Sequence, residues 1–252
     1  MKSHTVKFLI LITGFVLSCT EKPKSPVDDI VVVGLTNMNR YPLSLVIENL
    51  CKCNPKVLAL DIQLPDTDFG EDDTALKNAL RSCKAVVLPS VIKNYTYDDQ
   101  NYADTLGCDP FFLEGAHTGF VNVVLDDDPF QTLSRFSTKE RIEGRDEYHF
   151  AIQTAMLADS IKTIRFLKTH SKIVGIKYHS DQNDFRLMSG YQVMEELDPN
   201  EIEGKIVLVG SVSSHGVDPD IYYCPKVGRT SDSAPDMWGV QYLANVVVQV
   251  LE

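Results

Sequence analysis

Short apolar runs in which polar residues do not alternate limit the folds open to this chain. Residues 30–35 read IVVVGL, residues 57–62 read VLALDI and residues 85–92 read AVVLPSVI. A strand with one wet face alternates apolar and polar residues, whereas a strand covered on both faces does not. The three runs therefore predict strands of a parallel sheet between two layers of helices, the third ending at Pro89 or soon after it.

Helical periodicity fills the two intervals between these strands. One helix is predicted to open at Tyr41-Pro42 and to run towards Cys51, and a second spans Asp72 to Arg81, each with apolar residues at spacings of three and four. The order strand, helix, strand, helix, strand is typical of a parallel sheet with crossover helices.

The remaining sequence extends this pattern less regularly. Residues 93–118 show no period and predict either a lid-like insertion or a loose loop. The further predicted elements are two antiparallel strands at 119–125 and 131–140, a helix from about 148 to 157 that extends towards 167, a strand at 172–178, a short helical piece ending at 198–199, a buried strand at 205–211 and a last helix at 238–251. The predicted fold class is α/β: a mostly parallel, mixed central sheet with helices on both faces and an inserted antiparallel hairpin.

The amino terminus has the pattern of a secretory signal. Lys2 and Lys7 precede an apolar run over residues 8–17, which at about ten residues is half the length needed to span a bilayer. The run ends Val16-Leu17-Ser18-Cys19 and resembles the lipobox of bacterial lipoproteins. That resemblance implies cleavage before Cys19 and attachment of acyl chains, palmitate among them, to the new amino-terminal cysteine. The alternatives are cleavage elsewhere, or a short uncleaved anchor in which Cys19 has no special role.

These features divide the chain into three segments. Residues 1–18 are predicted to be a signal peptide, residues 19–29 a lipidated tether too polar to build a core, and residues 30–252 one folded domain. The formal net charge is -11, with 24 Lys and Arg against 35 Asp and Glu. This balance argues against nucleic acid as a partner and against adhesion to anionic lipid through basic side chains.

Five cysteines remain after Cys19, an odd number, in a compartment where disulfides persist. Cys51 and Cys53 end the first predicted helix and Cys83 ends the second. One alternative is a bridge from this pair to Cys83. The other is that all five, including Cys108 and Cys224, are free thiols.

Ligands of parallel α/β sheets bind outside the carboxyl ends of the strands. Asp61 closes the second strand, Asn37 follows the first, Asn122 follows GFV and Ser211 closes the strand at 205–211. These four residues are the predicted ligand-binding candidates. For Asp61 the alternative is that its carboxylate only caps the main chain of its own loop.

Catalytic and metal motifs are weak. Ser211, His215 and Asp218 lie within eight positions and rarely converge into a triad at such spacing. The run Asp126 to Asp128 could offer oxygen ligands to calcium, but adjacent carboxylates in a turn are usually solvated. No catalytic residue, metal or cofactor is predicted.

Six segments in order carry a resemblance to a known family: PKVLALDIQL, DDTALKNAL, AVVLPS, GFVNVVLDDD, IEGKIVLVGS and WGVQYLANVVVQVL. Together they resemble the type-2 CHASE domain, an extracytoplasmic sensory module of bacterial adenylyl cyclases, histidine kinases and serine/threonine kinases, over roughly residues 29–252. The chain departs from that pattern in its last helix. There the family commonly has Gly-Val followed by His-Ala, and this chain has Gly239-Val240 followed by Tyr242-Leu243-Ala244.

The resemblance implies a sensory or ligand-binding domain, here held by lipid on the periplasmic face of a membrane, expected to be the outer membrane. The transmembrane helices and cytoplasmic output domain that usually follow are not expected in this chain, so its partner would be a small-molecule ligand or a membrane sensor protein. Two alternatives stay open. One is a hydrolase-like α/β enzyme that uses loop carboxylates around Asp61. The other is an interaction subunit pairing through its last helix, or a truncated remnant of a sensor kinase or cyclase.

Overall fold

The computed structural model describes residues 25–36, 38–97, 101–179, 185–212, 220–226, 229–230 and 232–252. Its helices are α1 (Arg40–Lys52), α2 (Glu71–Ser82), α3 (Phe150–Ala158), α4 (Ser160–Thr169), α5 (Gly190–Glu195) and α6 (Gly239–Leu251). Its strands are β1 (Ile30–Leu35), β2 (Val57–Asp61), β3 (Val86–Ile92), β4 (Thr105–Gly107), β5 (His117–Phe120), β6 (Val124–Leu125), β7 (Leu133–Ser137), β8 (Lys139–Ile142), β9 (Arg145–Tyr148), β10 (Ile173–Gly175), β11 (Arg186–Ser189), β12 (Ile206–Ser211), β13 (Ile221–Tyr222) and β14 (Met237–Trp238).

The central sheet is built around a strand from late in the sequence. Its parallel strands lie in the order β11, β1, β12, β2, β3 and β5, and β4 pairs antiparallel with β3. β12 thus lies between β1 and β2, with Gly210 paired to Gly34 on one side and to Asp61 on the other. The predicted mostly parallel, mixed sheet is confirmed.

Alternate residues of each central strand serve two separate cores. In β1, Val31 and Val33 pack with α1, α2 and α5, whereas Ile30 and Val32 pack with α3 and α6 on the other face. All six residues of β1 are buried, since neither face of the strand meets solvent. This two-sided cover is the physical reason for the uninterrupted apolar runs in the sequence.

The antiparallel part contains more strands than the one predicted hairpin. The predicted strand at 119–125 divides into β5, which joins the central sheet, and β6, which forms a three-stranded sheet with β7 and β10. The predicted strand at 131–140 divides likewise into β7 and β8, and β8 pairs with β9 in a separate hairpin. Residues 93–118 are no loose loop where the structure describes them, because they contain β4 and a short 3-10 helix at Pro110–Phe112.

The prediction of one long helix beyond residue 148 is wrong in its continuity. Asp159 adopts an extended conformation, with φ -153° and ψ 91°, and separates α3 from α4. Its carboxylate accepts a hydrogen bond of 3.0 Å from the Lys162 amide, so it caps the start of α4. The strand β11 was missed, because RLMS is short and carries no apolar pattern.

Every residue of α6 is buried, including the polar side chains Gln241, Asn245 and Gln249. Asn245 accepts a hydrogen bond from the His179 amide at 2.9 Å, and Gln249 accepts one from the Lys177 amide at 2.8 Å. The side chains of Asn245 and Gln249 therefore bind the main chain of the segment after β10, as the backbone of a neighbouring strand would. Because α6 has no exposed face, the hypothesis that the chain pairs with a partner through its last helix is not supported.

A disulfide joins Cys51, at the end of α1, to Cys83, which follows α2. Cys53, Cys108 and Cys224 are free. Of the two alternatives from the sequence, the bridge to Cys83 is the one the structure contains. It fastens the two helices that cover one face of the sheet.

We expect the double variant Cys51→Ser, Cys83→Ser to lose about 3 to 4 kcal/mol of unfolding free energy, because the bridge closes a loop with a sequence separation of 32 residues. Urea unfolding followed by circular dichroism measures this loss. Cys53→Ser is the matched control and should leave the midpoint nearly unchanged. Equal midpoints for wild type and the double variant would contradict a stabilising bridge.

Candidate functional site

A cavity of about 600 Å³ opens where β2 and β3 end, beside the segment that follows β5 and the first turn of α6. The elements around it are fixed by the sheet, since β2, β3 and β5 are hydrogen-bonded neighbours. Its described lining residues are Asp61, Gln63, Val91, Tyr95, Val121, Asn122, Val123, Asp220, Tyr222, Gly239, Tyr242 and Leu243. This is the end of the sheet that the sequence predicted for a ligand.

Asp61 presents the carboxyl group of greatest interest. Within the part of the chain that the structure describes, its side chain makes no hydrogen bond, so it does not cap its own loop. Burial, with a smaller contribution from the charge of Asp220, raises the pKa of Asp61 to about 8. A carboxyl group in this state is protonated near neutral pH and ionises when a cation approaches.

Asp220 lies directly against the start of α6. The Gly239 amide donates to the Asp220 carbonyl at 2.9 Å, and a Cβ at Gly239 would lie 2.2 Å from an Asp220 carboxylate oxygen. A side chain at position 239 would displace the Asp220 carboxylate. The Asp220 carboxylate therefore lies where the amino-terminal end of the helix dipole stabilises negative charge.

Tyr242 of α6 lines the cavity, and its hydroxyl group forms a hydrogen bond with the buried His149 ring. The His149 ring accepts the Ala151 amide at Nδ1 and lies 3.2 Å from the Tyr242 hydroxyl at Nε2. Burial lowers the pKa of His149 to about 3, so the ring is neutral and its Nε2–H donates to the tyrosine. Burial also raises the pKa of Tyr242 far above its ordinary value, so this hydroxyl stays protonated.

Asn122 lines the cavity, but its side chain is already hydrogen-bonded to the main chain of Ile92. Its side-chain oxygen accepts from the Ile92 amide at 2.7 Å, and its NH₂ group donates to the Ile92 carbonyl at 3.0 Å. The side chain thus continues the pairing of β3 beyond β5. Its role as a direct ligand contact stays a prediction, and its visible role is to fix the wall.

The other predicted site residues do not join this group. Ser211 ends β12 one residue beyond Gly210 and is not among the described lining residues. Asn37, Cys19, His215 and Asp218 lie outside the described residues. Two carboxylates of the turn considered for calcium already have partners within the protein. Asp126 forms an ion pair with Arg135 at 3.0 Å, and Asp128 accepts hydrogen bonds from the Phe130 and Thr132 amides.

Sequence reasoning missed the aromatic walls and the second carboxylate. Tyr95, Tyr222 and Asp220 follow no strand-end rule, because they come from irregular segments or very short strands. One signal was present at Tyr242-Leu243, which lie where the last helix departs from the family pattern, and both residues line the cavity.

The described lining residues include two carboxyl groups and three tyrosine rings but no Lys, Arg or His. Their chemistry suits a positively charged or hydrogen-bond-donating molecule rather than an anion. Among the described residues, no group of three or more His, Cys, Asp or Glu side chains is placed to hold a metal ion. No described helix is long and apolar enough to cross a bilayer.

The architecture is that of an α/β domain with a cavity at the carboxyl edge of a parallel sheet, the usual ligand position in such folds. Comparison with protein families makes this more specific. The model of the CHASE2 domain matches residues 20–252, nearly the whole chain, and the chain belongs to that family. CHASE2 domains are extracytoplasmic sensory domains rather than catalytic ones. No curated protein and no solved structure matches the chain.

The raised pKa of Asp61 predicts a specific pH dependence. Between the ordinary carboxyl pKa of about 4 and about 8, the folded protein keeps a proton that the unfolded chain has lost. The stability due to this group is therefore present at low pH and is lost as pH rises towards 8. Asp61→Asn removes the effect, so the Tm of the variant relative to wild type should rise from pH 5 to pH 8 and then level.

Thermal unfolding in buffers from pH 5 to pH 9 measures this difference. Asp127→Asn is the matched control, because Asp127 is exposed and does not line the cavity. Its Tm difference should stay constant with pH. A flat difference for Asp61→Asn would show that Asp61 titrates normally.

Proposed function

We propose that this chain is an extracytoplasmic sensory domain that binds a small organic cation in the cavity around Asp61. The observation that carries the proposal is the composition of the described cavity lining, in which two carboxyl groups and three tyrosine rings meet no basic side chain. The membership of the CHASE2 family supports the sensory role.

The cavity size and its apolar wall favour a small molecule. About 600 Å³ is within the range of small-molecule sites, roughly 300 to 1,000 Å³. Val91, Val121 and Leu243 offer an apolar surface for the carbon skeleton of a ligand. The tyrosine rings offer faces to an ammonium group, an attraction that strengthens when water is excluded.

Asp61 would be the charged partner of the ligand. Asp220 lies at the start of α6, whereas the Asp61 side chain has no hydrogen bond within the described structure. A bound cation would lower the pKa of Asp61 and release its proton. Binding should therefore tighten as pH rises, by up to about tenfold per unit below the pKa of about 8.

The position of the cavity also suggests how binding is sensed. Gly239, Tyr242 and Leu243 all belong to the first turns of α6, so a ligand there would contact this helix directly. α6 then runs through the core to Leu251, near Pro26 at the start of the described chain. A ligand-induced shift of α6 would thus reach the end of the domain where the tether begins.

We expect primary amines, diamines or quaternary ammonium compounds to raise the Tm of the protein, and neutral alcohols or carboxylates of equal size to leave it unchanged. Asp61→Asn should weaken binding of the cation by about tenfold or more, since it removes a charged contact. Thermal-shift screening followed by calorimetry at pH 6, 7 and 8 measures both effects.

Asp127→Asn controls for a change of net charge away from the cavity, and Val123→Phe should block the cavity for every ligand. Stabilisation by carboxylates instead of amines would overturn the proposed ligand class. No stabilisation by any compound class would count against the binding function itself.

We also propose that the mature chain is lipidated at Cys19 and held on the periplasmic face of the outer membrane. The support is the signal-like sequence before Cys19 and the extracytoplasmic setting of the family. The predicted tether, residues 19–29, would then connect the lipid to the domain, and its last part contains a 3-10 helix at Pro26–Asp29.

Cells fed an alkyne-labelled fatty acid should yield a labelled wild-type protein in the outer-membrane fraction. Cys19→Ser should carry no label and should leave that fraction, because a thioether cannot form on serine. Cys53→Ser should behave as wild type. Label retained by the Cys19→Ser protein would contradict lipidation at this residue.

A further inference from the structure

We infer that the exposed face of α4 is a docking surface for anionic phospholipid, so that the domain rests on the bilayer as well as being tethered to it. The surface consists of Ile161, Ile164, Arg165 and Lys168, and is called the α4 face below. The orientation relative to the bilayer rests on the proposed lipid anchor, but the binding chemistry does not.

The charge of this region is opposite to that of the whole protein. Residues 160–179 contain five basic residues and no Asp or Glu, although the chain has 35 acidic residues against 24 basic ones. The five are Lys162, Arg165, Lys168, Lys172 and Lys177. Net charge concealed this stretch, which is why basic adhesion to lipid was not expected from the sequence.

Two of these basic residues have no acidic partner among the residues that the structure describes. Lys172 pairs with Glu140 and Lys177 with Glu252, whereas Arg165 and Lys168 form no described ion pair. Both are exposed. They are therefore free to meet the phosphate groups of a lipid surface.

Apolar side chains accompany these charges on the same face of the helix. Ile161 is 73% exposed and Ile164 is 44% exposed. The residues at 161, 164, 165 and 168 follow helical spacing, while Thr163 and Phe166 on the other face are buried in the domain. Exposed isoleucine beside Lys and Arg is the arrangement by which a helix lies in a membrane interface.

The start of α4 lies beside the first described residues of the chain, where the tether ends. A shallow cleft at this end is lined by Pro26 and Asp29 of the first described segment together with Asp159 and Lys162 at the start of α4. The six residue-to-residue steps from Cys19 to Ser25 span at most about 21 Å when the chain is fully extended. A lipid on Cys19 would therefore keep this end of the domain near the headgroups.

Local charge decides such an interaction, because salt screens charges beyond about 8 to 10 Å. Two acidic groups close to α4 have partners of their own. Asp159 caps α4, and Glu252 pairs with Lys177. Each Lys or Arg near an anionic membrane strengthens binding roughly fivefold, and insertion of the two exposed isoleucine side chains into the interface would add to that.

The test is vesicle flotation of the Cys19→Ser chain, which carries no lipid of its own. Vesicles of phosphatidylcholine alone are compared with vesicles that also contain phosphatidylglycerol, because the negative surface potential of an anionic bilayer attracts basic segments. We expect the anionic vesicles to carry several times more protein, and the excess to fall when salt is raised.

Arg165→Glu with Lys168→Glu should reduce binding to the anionic vesicles by about tenfold or more, because two attractive charges become repulsive. Separately, Ile161→Ser with Ile164→Ser should also reduce it, because the apolar surface that enters the interface is lost. Arg141→Glu with Arg145→Glu is the matched control, since it makes the same change of charge on the exposed β8 and β9 hairpin. Circular dichroism and melting curves confirm that each variant is folded.

Equal loss with the hairpin control would show a general charge effect and would overturn the proposal. Equal binding of the wild-type face to neutral and anionic vesicles would overturn it as well, and would leave an acidic protein as the partner for this surface. Because the Cys19→Ser variant carries no lipid, neither result depends on whether Cys19 is lipidated in the wild-type protein. That question is decided separately by the fatty-acid label.

Discussion

The fold depends on β12 entering the middle of the parallel sheet. Its residues pair with β1 on one side and β2 on the other, and Gly210 faces Asp61 across the last rung of the second pairing. A Cβ at Gly210 would lie 2.8 Å from the Val240 Cβ, so α6 packs on this strand only because residue 210 has no side chain. The close approach of α6 to the sheet brings its first turn beside Asp61 and thereby makes the cavity.

The polar groups of α6 explain how a helix so deeply buried is held in one position. Asn245 and Gln249 accept hydrogen bonds from the main chain of residues 177–179, and Gln249 donates to the Gly175 carbonyl at 2.9 Å. The Tyr242 hydroxyl oxygen accepts a hydrogen bond from the neutral His149 ring. Buried polar groups that find partners fix orientation, while unpaired ones are costly. The helix α6 therefore belongs to the hydrophobic core and also lines the cavity proposed to bind a ligand.

Strand-end reasoning found part of this site and missed part of it. Asp61 and Asn122 were identified because each closes or follows a run whose strand character is evident locally. Asp220 and Tyr222 come from a segment with no periodic pattern, so nothing local connected them to the sheet. Asp159 was read as part of one long helix, since its cap is set by its own backbone angles and not by the apolar pattern around it. The basic stretch over residues 160–179 was overlooked because the net charge of -11 sums over the whole chain and does not show how charge is distributed along it.

Most elements of the α/β core follow from local sequence patterns, because burial on both faces of a strand requires a continuous apolar run and burial on one side of a helix requires a spacing of three or four. The order of six such segments also indicated the family, which the match to the family model confirms. Only the folded chain shows which strands are neighbours, which of the two alternatives for Cys83 is realised and which side chains share the cavity. These outcomes depend on contacts between residues far apart in the sequence. Asp61 pairs with Gly210, and the His149 ring contacts Tyr242, which lies 93 positions further along the chain. Local periodicity carries no information about partners at that distance.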